Sequence, residues 1–347
     1  MVVVRKRGEK IRQFILSKVD NHPKDIVALT CREFDISRQA VNKHIKRLIE
    51  QNAISVTGTT RSRQYTLQEL VKWGHTYRID GTISESNIWN TEISKYLDGL
   101  PENIVDIWQY GFTEILNNAI DHSTGTEVYI QVIKTATTIE IMIYDNGEGI
   151  FKKIQRVLGL HDERHSVLEL AKGKLTTDPD NHSGEGIFFS SRMFDKFDIC
   201  SGKVFFSHNN DYEEDWITEH EEFQSGTCVF MKLANNSNKL MKQIFDSFST
   251  DDNYGFTKTI VPVRLTQYGD DKLVSRSQAK RLMVRIEKFK TVVFDFDNVE
   301  IIGQAFADEI FRVFQKQHLD MELIYLNANN DVEKMIKRAL TSENLIG

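Results

Sequence analysis

A chain of 347 residues, 40% hydrophobic and 27% charged, has room for two or three domains with separate cores. No apolar run approaches the roughly 20 residues that span a bilayer. Three scattered cysteines, Cys31, Cys200 and Cys228, form neither a metal spacing nor a disulfide framework, so a reducing, cytoplasmic setting is expected. The net charge of −6 hides an asymmetry: residues 1–67 hold 14 Lys or Arg against 6 Asp or Glu, which leaves −14 on the remainder. A basic first segment on an acidic body predicts contact with a polyanion.

Within 1–67 the pattern reads helix, helix, helix, hairpin. Ile11, Phe14, Ile15 and Val19 share one face of a helix over 9–19. A break at Asn21-His22-Pro23 precedes a second helix near 24–34, and Ser37 stands as the N-cap of a third. That third helix buries Val41, Ile45, Leu48 and Ile49, and it turns Arg38, Gln39, Asn42, Lys43 and Lys46 the other way. Two short strand-like runs, ISVTG and RQYTL, follow with Arg61 and Arg63 between them. Helix–turn–helix plus a basic hairpin, with the run ISRQAVNKHIKRLIEQNAI, resembles the winged-helix DNA-binding module. That resemblance implies base-side contacts from Arg38, Gln39, Asn42 and Lys43, and phosphate contacts from Lys46, Arg61 and Arg63.

Residues 68–100 read as a polar connector carrying Trp73 and Trp89. A middle domain is expected over 101–246, with a helix at 103–122 and alternating strands EVYIQV and TIEIMIYD. An irregular stretch of about thirty residues comes next, then a helix from 186, strands near 196–207 and a closing strand TCVFMKL. This predicts an α+β sandwich, a mixed sheet with helices on one face. From 256 to 347 strands and helices alternate, as in a small α/β domain.

The middle domain holds three separated signals. In TEILNNAIDH, Glu114 and Asn118 are four residues apart and share a helix face. Such a pair can hold a water and a divalent metal side by side. In DNGEGI, Asp145 precedes Gly147 and Gly149, and a carboxylate there can accept an adenine amino group. In SGEGIFF, Gly184 and Gly186 open a helix whose amides can face phosphate. No GxxxxGK[ST] loop occurs. Together the three runs resemble the GHKL superfamily: type II topoisomerase ATPase domains, heat-shock chaperones of the ninety-kilodalton class, MutL-type repair proteins, histidine kinases and anti-sigma kinases. The resemblance implies ATP with Mg²⁺ as ligand, Glu114 as the residue that activates water, Asn118 as the metal ligand and Asp145 as the adenine reader. It further implies Thr227 as the hydroxyl beside that aspartate and a lid near 150–182. Lys172 or Lys174 of that lid, together with Thr176 and Thr177, would close on the terminal phosphate. Of the neighbours Asn117 and Asp121, the latter is the better candidate to support metal waters, and His122 is given no chemical role.

The run TVVFDFDNVEIIGQAFADEIF, 291–311, resembles STAS domains, in which a serine at the start of a helix accepts phosphate. Here the corresponding residues are Ile302-Gly303-Gln304-Ala305-Phe306, with no hydroxyl. An interaction module is therefore expected, with Asp295, Asp297 and Glu300 at a strand end and an unknown protein partner. The expected whole is a multidomain α+β chain: winged helix, GHKL domain and STAS-like domain. It would act as an ATP-dependent, slowly hydrolysing switch that binds DNA, within a homodimer. The alternatives are an anti-sigma-type serine/threonine kinase acting on a separate partner, and a non-catalytic ATP-sensing scaffold in stress or phage response.

Overall fold

The structure is a computed structural model that describes residues 2–59, 62–175, 184–209, 214–249, 255–267 and 272–341. Helices α1 (Val2–Lys18), α2 (Ile26–Phe34) and α3 (Arg38–Glu50) lead into an antiparallel hairpin, β1 (Ile54–Thr57) and β2 (Gln64–Leu67). The Ser37 side chain accepts from the Ala40 amide at 3.3 Å, which caps α3 as its position predicts. Val41, Ile45 and Leu48 on α3 close over Ile11, Ile15 and Ile26 in a core of their own. The Tyr65 amide donates to Pro23 O at 2.9 Å and ties the hairpin to the α1–α2 junction. Helix α1 begins earlier than expected, because the Arg- and Lys-rich run before residue 9 continues the helix readily.

The next element corrects the reading of 68–100 as a connector. Strand β3 (Val71–Arg78) pairs along its whole length with β4 (Glu127–Lys134). After it, α4 (Glu85–Ile88) runs on through a π-helical turn to a 3₁₀ turn at Leu97 and buries Ile88, Trp89, Ile93 and Leu97. As an edge strand, β3 needs only one partner and keeps half of its side chains in water, so its periodicity is faint. Helix α5 (Glu102–His122) then crosses a five-stranded sheet of order β3-β4-β5-β7-β6. Here β5 is Thr138–Asp145, β6 Lys196–Asn209 and β7 Glu214–Ala234. Every pairing in this sheet is antiparallel, whereas a separate three-stranded sheet is parallel throughout.

The stretch expected to be irregular contains two helices, α6 (Ile150–Leu158) and α7 (Glu163–Lys172). Helix α6 is short but amphipathic, with Phe151 and Ile154 buried. Helix α8 (Gly186–Met193) packs on α5, and α9 (Met241–Asp246) closes the unit.

The last domain has a parallel sheet of order β10-β9-β8, with β8 Lys258–Pro262, β9 Thr291–Asp295 and β10 Glu322–Leu326. Its helices are α10 (Arg276–Leu282), the sequence α11 (Gln304–Asp308), a π turn and α12 (Gln315–Gln317), and α13 (Asn330–Thr341). The single helix expected over SQAKRLMVRIEKF is broken. Arg285 takes a left-handed φ of 61°, and a 3₁₀ turn at Ile286–Lys288 follows. This domain shares one continuous hydrophobic core with the middle domain, whereas α1–α3 do not. No helix among the described residues is long and apolar enough to cross a membrane.

Candidate functional site

Strand β5 alternates so that Ile139, Ile141 and Ile143 point into the core, and the same parity carries Asp145 inward at its end. Asp145 is therefore only 4% exposed. Its cross-strand partner on β7 is Thr227, set inward by the same alternation that buries Val229, Met231 and Leu233. Asp145 Oδ1 accepts from the Gly147 amide at 2.9 Å, and Thr227 Oγ1 accepts from the Ile150 amide at 3.0 Å. Burial pushes the Asp145 carboxyl above its ordinary value, while the Gly147 amide and Thr227 favour the ionised form. Gly147 packs so closely on Ser123 that a Cβ would lie 2.0 Å from the Ser123 carbonyl oxygen.

A cavity of about 280 Å³ opens beside this pair. Glu114, Asn118, Asp145, Gly149, Thr227 and the glycines Gly184 and Gly186 line it, which brings three distant sequence runs to one place. Gly147 supports Asp145 from behind. Helix α5 aims Glu114 and Asn118 into the cavity, its buried Ile115 and Ala119 line the same space, and Leu116 fills the core. Gly186, the first residue of α8, lies against Glu114: a Cβ there would sit 2.0 Å from Glu114 Oε2. The Glu114 carboxylate therefore occupies the mouth of that helix, where any larger side chain would displace it. Burial raises the Tyr110 phenol, and the negative charges of Glu114 and Glu185 add to the effect. Glu185 is itself raised by burial and held down by Lys174.

The lid lysines are placed differently from expectation. Lys172 is 1% exposed, and its Nζ bonds Glu169 Oε1 at 2.7 Å and Val284 O at 2.8 Å, away from the cavity. Lys174 Nζ donates to Lys288 O at 3.0 Å and lies 4.8 Å from the Phe289 ring centroid. A helix over 163–172 carries these residues toward the last domain, an arrangement that local sequence does not encode. Thr176 and Thr177 lie outside the described residues. Asp121 is exposed and outside the lining, whereas Asn117 and His122 line the cavity.

Lys153 and Glu148 also line it and were not singled out from sequence. Lys153 Nζ donates to His122 O at 2.7 Å, and burial lowers its pKa. The available signal was position: Lys153 falls one turn into the helix that Gly149 opens.

Residues 89–204 match the family model of the histidine kinase-like ATPase domain. This part of the chain is a histidine kinase-like ATPase domain. The match spans Glu114, Asn118, Asp145 and both glycine pairs, and stops short of Thr227. Residues 278–333 match the model of a STAS-like domain of unknown function. Among curated proteins, none matches the chain. The ATPase domain accounts for the cavity, while the STAS-like domain supplies Val284, Lys288 and Phe289 to the joint with α7.

Outside the cavity lining, Arg38, Gln39, Asn42, Lys43 and Lys46 are all exposed along α3, and Arg63 is exposed beside β2. Lys46 lies 3.8 Å from Glu50. Arg61 lies outside the described residues.

Proposed function

We propose that the chain is a Mg-ATP-binding, slowly hydrolysing switch whose nucleotide state governs how α1–α3 and the hairpin meet DNA. The observation that carries the nucleotide half is Asp145. A buried carboxylate at the rim of a mostly apolar cavity, with Thr227 beside it, can accept the exocyclic amine of adenine, which guanine does not offer at that position. Phosphates would then run toward Gly184 and Gly186 at the start of α8, where backbone amides and the helix dipole favour anions. Lys153 adds a cation to the lining.

The residues present fit Mg²⁺ in one way. Among the described residues no group of three or more His, Cys, Asp or Glu side chains stands ready to hold a metal. A hard, oxygen-seeking ion held by one amide oxygen, nucleotide phosphates and water needs no such cage, and Asn118 supplies that amide. When bound, the ion would neutralise phosphate charge. Glu114, one helical turn before Asn118, is placed to orient water and take its proton. The STAS-like domain has no hydroxyl over Ile302–Phe306, so phosphate transfer to that position within the chain lacks an acceptor.

The DNA half rests on the exposed basic face of α3, capped at Ser37, beside a hairpin that carries Arg63. A helix of this kind fits a major groove, and Lys or Arg on the hairpin meets phosphate.

Single-turnover hydrolysis with product identification tests the first half. Glu114→Ala should slow release of inorganic phosphate by about 10²- to 10⁴-fold, the usual contribution of a general base, with nucleotide still bound. Turnover unchanged by that substitution would remove Glu114 from the chemistry. A DNA titration with and without Mg-ATP tests the second half, and an identical affinity and salt slope in both would sink the coupling.

A further inference from the structure

The joint between α7 and the STAS-like domain is built from charges that face away from solvent. Glu169 is 2% exposed and receives Lys172 Nζ on Oε1 at 2.7 Å. On Oε2 it receives Arg285 Nη1 at 3.1 Å. Arg285 Nη2 donates to the carbonyl of Lys174, and Thr259 Oγ1 donates to the carbonyl of Lys172 at 2.7 Å. The end of α7 and Lys174 are therefore held by side chains that lie outside the ATPase match, those of Thr259 and Arg285. Nucleotide chemistry does not need this arrangement, and the proposed function leaves it unexplained.

Its position gives it meaning. Lys174 is followed by Leu175, which lines the cavity, and the Leu175 amide donates to Gly184 O at 3.1 Å. Gly184 and Gly186 line the same wall, and Gly186 lies against Glu114. A continuous series of contacts thus runs from Arg285 through Lys174, Leu175 and Gly184 to the mouth of α8. The left-handed backbone at Arg285 breaks what would otherwise be one helix, and from this break its guanidinium meets both Glu169 and Lys174. A non-glycine residue at positive φ is uncommon and costs energy, so the packing around it must over-determine it. Glu169, the Lys174 carbonyl and the α7 end supply that constraint.

We propose that Arg285 is a positioning residue for the nucleotide site: through Lys174 and Leu175 the STAS-like domain sets the wall at the α8 end of the cavity. The inference rests on the ATP reading above and adds a second domain to it. Whatever occupies the STAS-like domain near Arg285 gains a route to the phosphate end of the site, and bound phosphate acts on that domain by the same route. Linkage makes the two effects equal in binding free energy. Asp145 and Thr227, which line the same cavity, stand on β5 and β7 and have no share in this series.

That asymmetry sets the test. The full chain is titrated calorimetrically with adenosine and with a non-hydrolysable Mg-ATP analogue, as wild type, Arg285→Ala and Arg285→Lys. Lys280→Ala, on the same domain with an exposed side chain, serves as control. Arg285→Ala should weaken the ATP analogue by about fivefold or more, the lower end of ordinary coupling between sites, while adenosine binding stays unchanged. Arg285→Lys, which keeps the charge but not the two-pronged geometry, should recover part of the loss, and Lys280→Ala should change nothing. Equal losses for adenosine and the ATP analogue would reduce Arg285 to a structural role and overturn the proposal, as would no loss for either. If Arg285→Ala does not fold, Arg285→Met, which fills the space and leaves Glu169 paired with Lys172, carries the same comparison. Wild type that binds neither ligand would overturn the ATP reading, and this inference with it. Wild type that binds both, with no selective loss in the variants, overturns this inference alone.

Discussion

The two flanking regions are attached to the ATPase domain in opposite ways. The STAS-like domain shares its hydrophobic core and adds a buried cluster of Lys172, Glu169 and Arg285. The N-terminal helices keep a core of their own, against which the ATPase domain contributes Ala136 as a partly buried neighbour. A bond from the Leu70 amide to Lys134 O at 2.7 Å marks the passage between the two. A shared close-packed core transmits displacement, because side chains have few alternative arrangements. A region with an independent core can be presented or withdrawn without repacking. The difference suggests that the STAS-like domain senses or sets the nucleotide state, and that the basic N-terminal region is the part free to act on it.

The largest expected effect bears on the shared joint. Glu169→Ala leaves Lys172 and Arg285 buried without their counter-charge, and breaking a buried pair from one side costs about 3–5 kcal/mol. Hydrogen exchange should show the loss in α7 and in the segment around Arg285, with α1–α3 unaffected. Equal loss of protection in α3 would erase the contrast between the two attachments. The mirror experiment is Ile45→Ala in the separate core, where Ile45 is 3% exposed. Truncation there should cost about 2–5 kcal/mol, abolish DNA binding and leave ATP affinity unchanged. A parallel fall in ATP affinity would show that the regions are coupled more tightly than their cores indicate.

A smaller effect is expected at Asp145, between the two. Asp145→Asn can keep Oδ1 for the Gly147 amide but turns the other oxygen into an NH2 donor; losing a hydrogen bond to a charged group costs about 1.5–3 kcal/mol, about ten- to a hundredfold in affinity. The same substitution should raise the melting temperature at neutral pH. Burial lifts the folded-state pKa of this carboxyl above its unfolded value of 3.8. Its contribution to stability is therefore fully present below that value and is lost as pH rises through the folded one. The stability gap between variant and wild type should close as the buffer is acidified toward pH 4, read by thermal melts across that range. With ATP added to wild type, exchange protection should appear around Lys174 and Arg285. Its appearance on α3 as well would support coupling to the DNA-binding face.

Much of the site was legible because its chemistry is local. Glu114 and Asn118 are neighbours on one helix face, Asp145 closes a strand whose alternation points it inward, and Gly184 and Gly186 open a helix. The capping of α3 by Ser37 and the alternating strands of the last domain are local too. Strand β3 was not legible, since an edge strand gains most of its stability from its partner β4 rather than from its own pattern. Lys172 and Lys174 were misjudged for the same kind of reason. Near two glycine turns a lysine in a loop suggests a phosphate contact, yet α7 and the STAS-like domain carry both lysines elsewhere.

The amino-acid sequence alone determined which side chains of the middle domain share a face, because helical and strand periodicities set this. Only the tertiary structure decided what the site is joined to. The contacts of Arg285 with Glu169 and Lys174 join residues more than a hundred positions apart, where no periodicity reaches, and the bond from Leu175 to Gly184 closes a loop that no helical or strand repeat describes.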